Sequence, residues 1–584
     1  MTRERAGGPG RFVAALDVVG WVLLAAPLLA WAGYRAGGAM NPDGIAYVRL
    51  AGYWASGRLS LAVSGYWGPL LPWLMVPFRW LGLPPLAAGR AAVALSGMVF
   101  VAGGLAFLRS ALPRSRAARG AGGVLVAAAV AWSVPAITPD LLLGGLLSLA
   151  LAVLVSERWP SRAGAQAVAG IFLGLAYLAK AVAFPLAVLF TVGLAGTRVF
   201  AGESPAGRAG RAAALTLLVF GLVAAPWVAT LSARYGGFVF STSGGLNHAL
   251  VGPGVSEPVH PYRVTIHEVE RGRVTAWEDP TRMPYRHWSP LDGPREFRHQ
   301  VRLSMRNYRE ALDSLAGLDL LRFAPAFLLA GLLFHRPFRQ NLRAHRWRWA
   351  GVPAALLVLI YLPVQASSTR YFWPVLPLAL AAGLGTVGWI AGGARGRRRV
   401  VAGLLASLLL LDFTVPVLAD LPGRLAGARN PEVVAAREIA GVLDREGIRA
   451  AVVGGGHVGL YVAFLLDRPW EGDLSAHPWT AAVARRAVGV LRESCRRRIL
   501  VAWAEPAAQA VLAAAGFVPV PLPRPPRVHG VPVRAWLVPA ERPRVPRPGA
   551  LTAPPAAEDD SPSGAIAPAG PAGRTDAPGA GRDR

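Results

Sequence analysis

The chain has 584 residues, which is too long for one ordinary domain. It is 53% hydrophobic and 16% charged, with a mean hydropathy of +0.40, and this composition is typical of an integral membrane protein with a soluble part. The formal charge of +28 does not indicate nucleic-acid binding, because the arginines lie in short clusters between apolar runs. A single cysteine, Cys495, excludes an intramolecular disulfide framework and a cysteine zinc site.

Eleven apolar runs are long enough, or nearly long enough, to span a bilayer as helices. The first resembles a signal peptide, but its 12–33 range is long enough to span, so we expect an uncleaved first helix. Residues 69–83 are apolar but short and rich in proline, and we interpret them as an interfacial segment. The predicted spans are residues 12–33, 86–108, 121–137, 140–156, 164–179, 181–197, 212–232, 318–334, 349–366, 371–392 and 400–419.

The arginine clusters predict the orientation of these spans. They fall in alternate connections, which the positive-inside rule assigns to the cytoplasm, whereas the short connections on the other side contain almost no arginine. The N-terminal residues 1–11 are then cytoplasmic, and two large loops, residues 34–85 and 233–317, face outward. We expect a multi-pass protein of a bacterial inner membrane. The cytoplasmic arginines include Arg109, Arg114, Arg116, Arg119, Arg158, Arg162, Arg198, Arg208, Arg211, Arg336, Arg339, Arg343, Arg346, Arg348, Arg395, Arg397, Arg398 and Arg399.

Asp43 lies just after the first span, in the first large loop. Pro42 and Gly44 interrupt the helix there, so the carboxylate lies at the water interface and could accept a proton from an acceptor hydroxyl. An acid that caps a short surface helix explains the same residue equally well.

Lys180 is the only lysine among 61 basic residues. It lies between two predicted spans, where a compact ammonium group is suited to binding a phosphate. The alternative is a basic side chain that extends to the interface from a helix end. Because ionisable residues within membrane segments usually serve a function, we favour phosphate binding.

Asp140 and Arg370 lie at the same predicted membrane face as Asp43 and Lys180. Taken alone, Thr138 or Asp140 is expected to cap the fourth span, and Arg370 is expected to anchor an aromatic belt. Together, two acids could hold an acceptor or a metal, and two bases could hold a phosphate. This set suits an enzyme that uses a lipid-phosphate donor.

The second large loop contains a segment, residues 238–248, that we interpret as a lid or as a loop that contacts the acceptor. Asn247 and His248 in this segment, and Tyr66 in the first large loop, are possible contacts to the substrate. The loop has several histidines, but their spacings match no compact metal-ligand pattern, and surface loop residues are the expected interpretation.

The C-terminal residues 430–540 are predicted to form a small extracytoplasmic α/β domain. Residues 454–459 fit the pattern G-x-G-x-x-G of dinucleotide-binding sites, and Asp473 follows at about the distance expected for such a site. An extracytoplasmic location argues against a dinucleotide, because the cofactor pool is cytoplasmic. We therefore expect a glycine-rich turn. Residues 541–584 are too poor in large apolar side chains to fold and are predicted to be a disordered tail. The predicted elements are helices at 432–446, 481–494 and 507–515 and strands at 449–453 and 498–503.

Five segments resemble the GT-C superfamily of polyprenyl-phosphate-sugar-dependent glycosyltransferases, which includes protein O-mannosyltransferases and lipid A aminoarabinose transferases. Each motif is weak alone, and their order and sidedness make the resemblance fairly specific. One residue departs from the pattern, because Gly44 stands where many relatives have a glutamate, so the resemblance does not extend to a pair of carboxylates at this loop. The segments are residues 41–47, residues 66–72, Thr138-Pro139-Asp140, residues 174–180 and residues 370–377.

The resemblance implies a membrane fold of about eleven helices over residues 12–420 and a role for each charged residue. Asp43 would be the catalytic residue that acts on the acceptor, and Asp140 would shape the acceptor or metal region. Lys180 and Arg370 would bind the donor phosphate, and the sugar would pass to a lipid, glycan or protein by direct displacement with inversion. A divalent metal remains open as a cofactor, and nucleic acid is not an expected partner.

Two other functions fit parts of the pattern. A transporter or lipid flippase also places ionisable residues in the membrane, but it should show internal repeats and helices broken near the midplane. We find no such repeat in the sequence. A non-catalytic scaffold with the same fold is the other alternative. Neither the sugar nor the acceptor can be read from residue spacing.

Overall fold

A computed structural model describes residues 9–113, 115, 117–255, 259–318, 347–365, 368–390, 397–427, 430–474, 477–493 and 496–539. The predicted span at 318–334, the predicted tail at 541–584 and Cys495 lie outside these residues, apart from Leu318 itself.

Ten of the predicted spans fall wholly or almost wholly on described residues, and each of these corresponds to a helix. Five stretches are long and apolar enough to cross a membrane, namely Leu16–Arg35, Pro85–Ala111, Ala183–Phe200, Ala206–Tyr235 and one that begins at Val400. The remaining apolar helices are shorter, and the count of eleven spans stays a prediction. The helices of the bundle are α1 (Pro9–Arg35), α5 (Pro85–Ala111), α6 (Ala117–Ser133), α7 (Asp140–Leu154), α8 (Ala163–Ala179), α9 (Ala183–Phe200), α10 (Ala206–Tyr235), α13 (Trp347–Leu359), α14 (Val375–Ile390) and α15 (Arg397–Gly427).

Helices α5 and α7 approach each other closely because they meet at glycines. A Cβ atom on Gly103 would lie 2.2 Å from the carbonyl oxygen of Gly145, and one on Gly145 would lie 2.6 Å from the backbone of Phe100. Small residues permit such contact between apolar helices, where van der Waals packing replaces the hydrophobic effect. Because of this crossing, the start of α7, which carries Asp140, lies beside the first large loop.

A buried arginine, Arg90, joins α5 to the end of α6 and to the start of the first large loop. Its side chain is 4% exposed, and its guanidinium donates to the carbonyl oxygens of Ser133, Val134 and Ala39 at 3.1, 2.9 and 3.0 Å. Each of these carbonyl groups lies at or beyond a helix end, where it has no partner within the helix. Arg90 therefore fixes the end of α6 against the residues that lead into Asp43.

The first large loop folds into three short helices instead of another span. The segment predicted to be interfacial forms an 11-residue helix, which is much shorter than a bilayer requires. The helices are α2 (Pro42–Ala55), α3 (Leu59–Ala62) and α4 (Leu70–Trp80).

The second large loop is mostly irregular and is held by short turns. A capping box is present at Thr275, whose hydroxyl accepts from the backbone of Trp277 while the Glu278 carboxylate accepts from the backbone of Thr275. The loop contains α11 (Ser243–Leu250), α12 (Pro294–Gly317) and 3₁₀ turns at Pro261–Arg263, Ala276–Glu278 and Pro280–Arg282.

Residues 430–539 form helices packed on a small mixed sheet, here called the α/β region. Strand β1 pairs in parallel with β2, and β5 pairs antiparallel with β2, β3 and β4. The sequence predicted three of the helices and two strands within about two residues of these bounds, but it missed α17, β3, β4 and β5. The elements are α16 (Pro431–Arg445), β1 (Ala451–Gly454), α17 (Gly456–Leu466), α18 (Ala481–Glu493), β2 (Arg498–Trp503), α19 (Pro506–Ala514), β3 (Val518–Pro519), β4 (Arg527–Val528) and β5 (Val531–Val538).

The glycine-rich residues 454–459 form the turn between β1 and α17. The Asp473 carboxylate accepts a 2.6 Å hydrogen bond from the backbone N–H of Gly456, so a side chain of this chain takes up the donor that a phosphate would use. A Cβ atom on Gly459 would collide with the carbonyl oxygen of Gly454. The glycines and Asp473 are thus accounted for by the turn itself.

Candidate active site

Asp43, Asp140, Lys180 and Arg370 lie together, as the sequence predicted. Arg370 Nη2 donates to Asp43 Oδ2 at 2.7 Å, and Lys180 Nζ donates to Asp140 Oδ1 at 2.6 Å. Arg370 Nε is also 3.8 Å from Asp140 Oδ2. The four side chains therefore form one alternating cluster of two acids and two bases, which we call the charged cluster.

Asp43 lies in the first turn of α2, which begins at Pro42 because proline suits the start of a helix. It does not cap this helix. The residue before it, Asn41, accepts a 2.9 Å hydrogen bond from the backbone of Ile137 and so ties the start of α2 to the segment that precedes Asp140. On its other side Asp43 Oδ1 accepts a 3.3 Å hydrogen bond from Trp277 Nε1.

Asp140 and Lys180 lie at adjacent helix ends. Asp140 occupies the first turn of α7 and its side chain is 2% exposed, while Lys180 follows the last residue of α8 in an extended conformation. No side chain forms a capping hydrogen bond at the start of α7. The helix-cap alternative for Thr138 and Asp140 is therefore wrong, and the ion pair with Lys180 replaces it.

The turn Thr369–Phe372, which contains Arg370, is held in place by aromatic packing. Phe372 is completely buried, Trp373 stacks on Trp132 with ring centroids 4.9 Å apart, and Tyr371 stacks on Tyr361 at the same distance. Lys180 Nζ also lies 4.4 Å from the centre of the Tyr371 ring. Arg370 thus contacts the other charged residues from a rigid turn.

The charges of the two bases are favoured by their neighbours. Burial disfavours the ammonium form of Lys180 and is the largest single effect, but the Asp140 carboxylate together with Tyr361 and Tyr371 outweighs it, so the pKa of Lys180 is raised. Burial acts in the same way on Arg370, and the carboxylates of Asp43 and Asp140 raise its pKa. Both side chains are cations at neutral pH, as phosphate binding requires.

The three predicted loop contacts lie in two different environments. Tyr66 is half-buried and donates a 3.1 Å hydrogen bond to Asn247 Oδ1, so these two residues join the two large loops. Burial, followed by the charge of Asp43, raises the pKa of Tyr66. His248 instead stacks on Trp288 at 4.2 Å and pairs with Gln300 at 2.9 Å.

Trp277 and His260 are two neighbours of Asp43 that sequence reasoning missed. Trp277 is 4% exposed, and its ring lies 4.3 Å from that of His260, whose Nδ1 pairs with Tyr285 Oη at 3.0 Å. Burial lowers the pKa of His260 to about 4, so its ring is neutral at pH 7. Trp277 lies in a short 3₁₀ turn and His260 in irregular chain, so neither belongs to a periodic pattern, and only their aromatic character in an outer loop could have indicated them.

The charged cluster does not suit a divalent metal. The Arg370 guanidinium lies between the two carboxylates, in the position that a bridging cation would need, and each acid already faces a basic side chain. Among the described residues, no group of three or more His, Cys, Asp or Glu side chains is placed to hold a metal ion.

The chain matches no protein-family model and no curated protein by sequence. Its structure, however, resembles those of two membrane transferases. ArnT from Cupriavidus metallidurans, solved with bound undecaprenyl phosphate, aligns with a TM-score of 0.51 over 88% of this chain and 98% of ArnT, at 18% identity. The oligosaccharyltransferase of Archaeoglobus fulgidus in its apo form aligns with a TM-score of 0.52 over 83% of this chain and 69% of that protein, at 14% identity. Both have the GT-C architecture.

The chain has the GT-C fold. This confirms the predicted fold class, a mostly helical protein with a small C-terminal sheet. Within the GT-C fold, the charged cluster lies where the first large loop, the start of α7, the end of α8 and the turn before α14 meet. The fold therefore unites residues from four separate parts of the chain.

Proposed function

We propose that this protein is a membrane glycosyltransferase that moves a sugar from a polyprenyl-phosphate donor to an acceptor on the outer face of the membrane. The observation that carries the proposal is the charged cluster, in which two cations and a half-buried carboxylate converge. The GT-C fold supports it, and so does the undecaprenyl phosphate bound by ArnT. The distribution of arginines supports the outward orientation.

Lys180 and Arg370 bind the donor phosphate in this proposal. Arg370 offers a planar set of donors, whereas Lys180 offers a compact charge, and the two together suit the oxygens of one phosphate group. When the bond from the sugar to the phosphate breaks, negative charge grows on the leaving polyprenyl phosphate. The two cations stabilise this charge in the transition state.

Asp43 is the general base. It accepts the proton of the acceptor hydroxyl, whose oxygen then forms a bond to the anomeric carbon of the sugar. The bond from that carbon to the phosphate oxygen breaks, and the phosphate leaves with the bonding electrons. A single direct displacement inverts the configuration at the anomeric carbon.

The phosphate also changes the partners within the cluster. Arg370 neutralises Asp43 at 2.7 Å, and a phosphate that binds Arg370 competes with this carboxylate. Donor binding would then release Asp43 for the acceptor. Asp140, which is nearly inaccessible, keeps Lys180 in place at 2.6 Å.

The proposal is tested by transfer of labelled sugar from a panel of polyprenyl-phosphate donors in membranes. We expect Asp43→Asn to lower transfer by roughly 10²-fold or more while donor binding persists, because a general base contributes about 10²–10⁴-fold. Lys180→Ala should weaken donor binding. Asp313→Asn, which changes an exposed acid on α12, is the matched control and should transfer normally.

The possible outcomes separate the alternatives. If Asp43→Asn and Lys180→Ala both transfer at the wild-type rate, the roles assigned to the charged cluster are wrong. If the wild-type protein transfers sugar from no donor in a broad panel, the transporter and scaffold functions become the better explanations.

A further inference from the structure

One extended segment, residues 469–473, connects the α/β region to the second large loop. On one side, Val452 of β1 donates to the Pro469 carbonyl at 2.8 Å and accepts from Glu471 at 2.9 Å. On the other side, the Trp470 N–H donates to the Val274 carbonyl at 2.6 Å. The loop is thus joined to β1 by backbone hydrogen bonds through this segment, in the way that a peptide adds to a sheet edge.

Further backbone bonds extend this junction. His267 donates to the Glu471 carbonyl at 2.9 Å, and Asp473 donates to the Tyr262 carbonyl at 3.2 Å. The Trp470 side chain is 1% exposed, and its Nε1 donates to the carbonyl of Gly454 at 3.0 Å. The junction is therefore a built interface that is inaccessible to water at its centre.

The part of the second large loop that ends at Val274 is held in this way and leads directly to Asp43. Three residues after Val274, Trp277 donates its Nε1–H to Asp43 Oδ1 at 3.3 Å. The Trp277 carbonyl in turn accepts a 2.8 Å hydrogen bond from Trp67 Nε1 in the first large loop. The position of the Trp277 indole, which contacts Asp43, therefore depends on where the preceding loop residues are held.

The α/β region also contacts the first large loop on the other side of Asp43. Tyr461 donates its hydroxyl to the Met40 carbonyl at 3.2 Å, and the Tyr461 side chain is 2% exposed. Arg49 of α2 pairs with Asp467 at 2.7 Å. Contacts from one region therefore lie both before and after Asp43 in the chain.

We propose that the α/β region positions the general base, by holding Trp277 against Asp43 through Trp470 and by fixing the start of the first large loop through Tyr461. This inference rests on the proposed function for the role of Asp43. In this proposal the α/β region acts within its own chain, where it holds residues of the active site in position. Trp277, Trp470 and Tyr461 are positioning residues.

Gly472 allows a direct test of the junction. It has φ +105°, and a Cβ atom there would lie 2.3 Å from the Thr265 carbonyl oxygen and 2.8 Å from that of Tyr262. Gly516, with φ +75° and no atom within 4 Å of such a Cβ, is a matched control in the same region. Gly472→Ala and Gly516→Ala both place a Cβ atom at a positive φ, but only at Gly472 does this atom also collide with the second large loop.

The first measurement is hydrogen–deuterium exchange of the full-length protein in detergent, which requires no substrate. We expect peptides that cover residues 260–280 to exchange about tenfold faster in Gly472→Ala than in wild type or Gly516→Ala, because local opening exposes the amides of the junction. Equal exchange in the two variants would overturn the proposal.

The second measurement separates positioning from general damage. Trp277→Phe and Tyr461→Phe each remove one hydrogen bond and keep an aromatic ring, so we expect kcat to fall about five- to tenfold while the affinity for polyprenyl phosphate is unchanged. If kcat stays at the wild-type value in both variants, or if donor affinity falls in parallel with kcat, the positioning role is wrong. Absence of transfer in the wild type would refute the proposed function, whereas the exchange result would still decide whether the junction holds the loop.

Discussion

Arg370 donates a 2.7 Å hydrogen bond to Asp43, although the two residues are 327 positions apart in the chain. The proposed phosphate-binding residue and the proposed base therefore neutralise each other. Asp140 lies 3.8 Å from the same guanidinium, so Arg370 is shared between two acids. Changes at Arg370 should consequently affect donor binding and the freedom of Asp43 together.

Arg370→Gln should reduce the affinity for polyprenyl phosphate by roughly 10- to 100-fold, because a hydrogen bond to a charged group contributes about 1.5–3 kcal/mol. Arg370→Lys keeps the charge but cannot contact two acids and a phosphate with one planar group, so it should recover only part of the affinity. Calorimetric titration with polyprenyl phosphate measures both. Arg302→Gln on the exposed face of α12 is the control, and equal affinity in Arg370→Gln and wild type would contradict the assignment.

The Asp140–Lys180 pair should behave as a coupled unit in stability measurements. Lys180→Met leaves a carboxylate that is 2% exposed without its hydrogen-bonded cation, and we expect a loss of about 3–5 kcal/mol. The double variant Asp140→Asn, Lys180→Met removes both charges and should be less destabilised than the sum of the single variants, by about 1–3 kcal/mol. Thermal unfolding of the detergent-purified variants tests this. Additive losses would show that the two side chains do not interact.

Gly44 is required by the packing around Asp43. A Cβ atom there would lie 2.4 Å from Asn41 Oδ1 and 3.0 Å from Ile137 Cβ. Moving Asn41 away would break its hydrogen bond from the Ile137 N–H, so Gly44→Ala should destabilise the protein by about 1–3 kcal/mol.

Gly52 on the same helix provides the comparison for Gly44. It has open space around a Cβ atom, so Gly52→Ala should be neutral or stabilise the helix by about 0.5–1 kcal/mol. The difference between the midpoints of thermal unfolding of the two variants is the measurement. If both alanine variants unfold at the same temperature, the close contact at Gly44 does not constrain the site.

His260 should make the protein less stable in acid. Burial lowers its pKa to about 4 in the folded state, while an unfolded histidine titrates near 6.5. Between these values the unfolded chain binds more protons, so stability should fall as the pH decreases from about 6.5 to 4, by up to about 3 kcal/mol. His260→Gln should flatten this part of the profile of unfolding midpoint against pH. An unchanged slope in the variant would mean that another group causes the acid sensitivity.

The local pattern of the chain predicted the helices of the GT-C fold. Apolar runs near bilayer length, glycine and proline at their ends and a lone lysine between two of them are features of neighbouring residues. For the same reason the strands of the α/β region were only partly predicted, since β3 and β4 are two residues long and depend on pairing with β5.

The sequence also selected Asp43, Asp140, Lys180 and Arg370, because their positions at the ends of apolar runs assign them to one membrane face. It did not determine which acid pairs with which base. Only the tertiary structure placed Arg370 between two acids, brought Trp277 to Asp43 and joined the α/β region to the second large loop through Trp470. These contacts depend on how distant elements pack. A contact between residues hundreds of positions apart produces no periodic pattern in the sequence, so the sequence alone does not predict it.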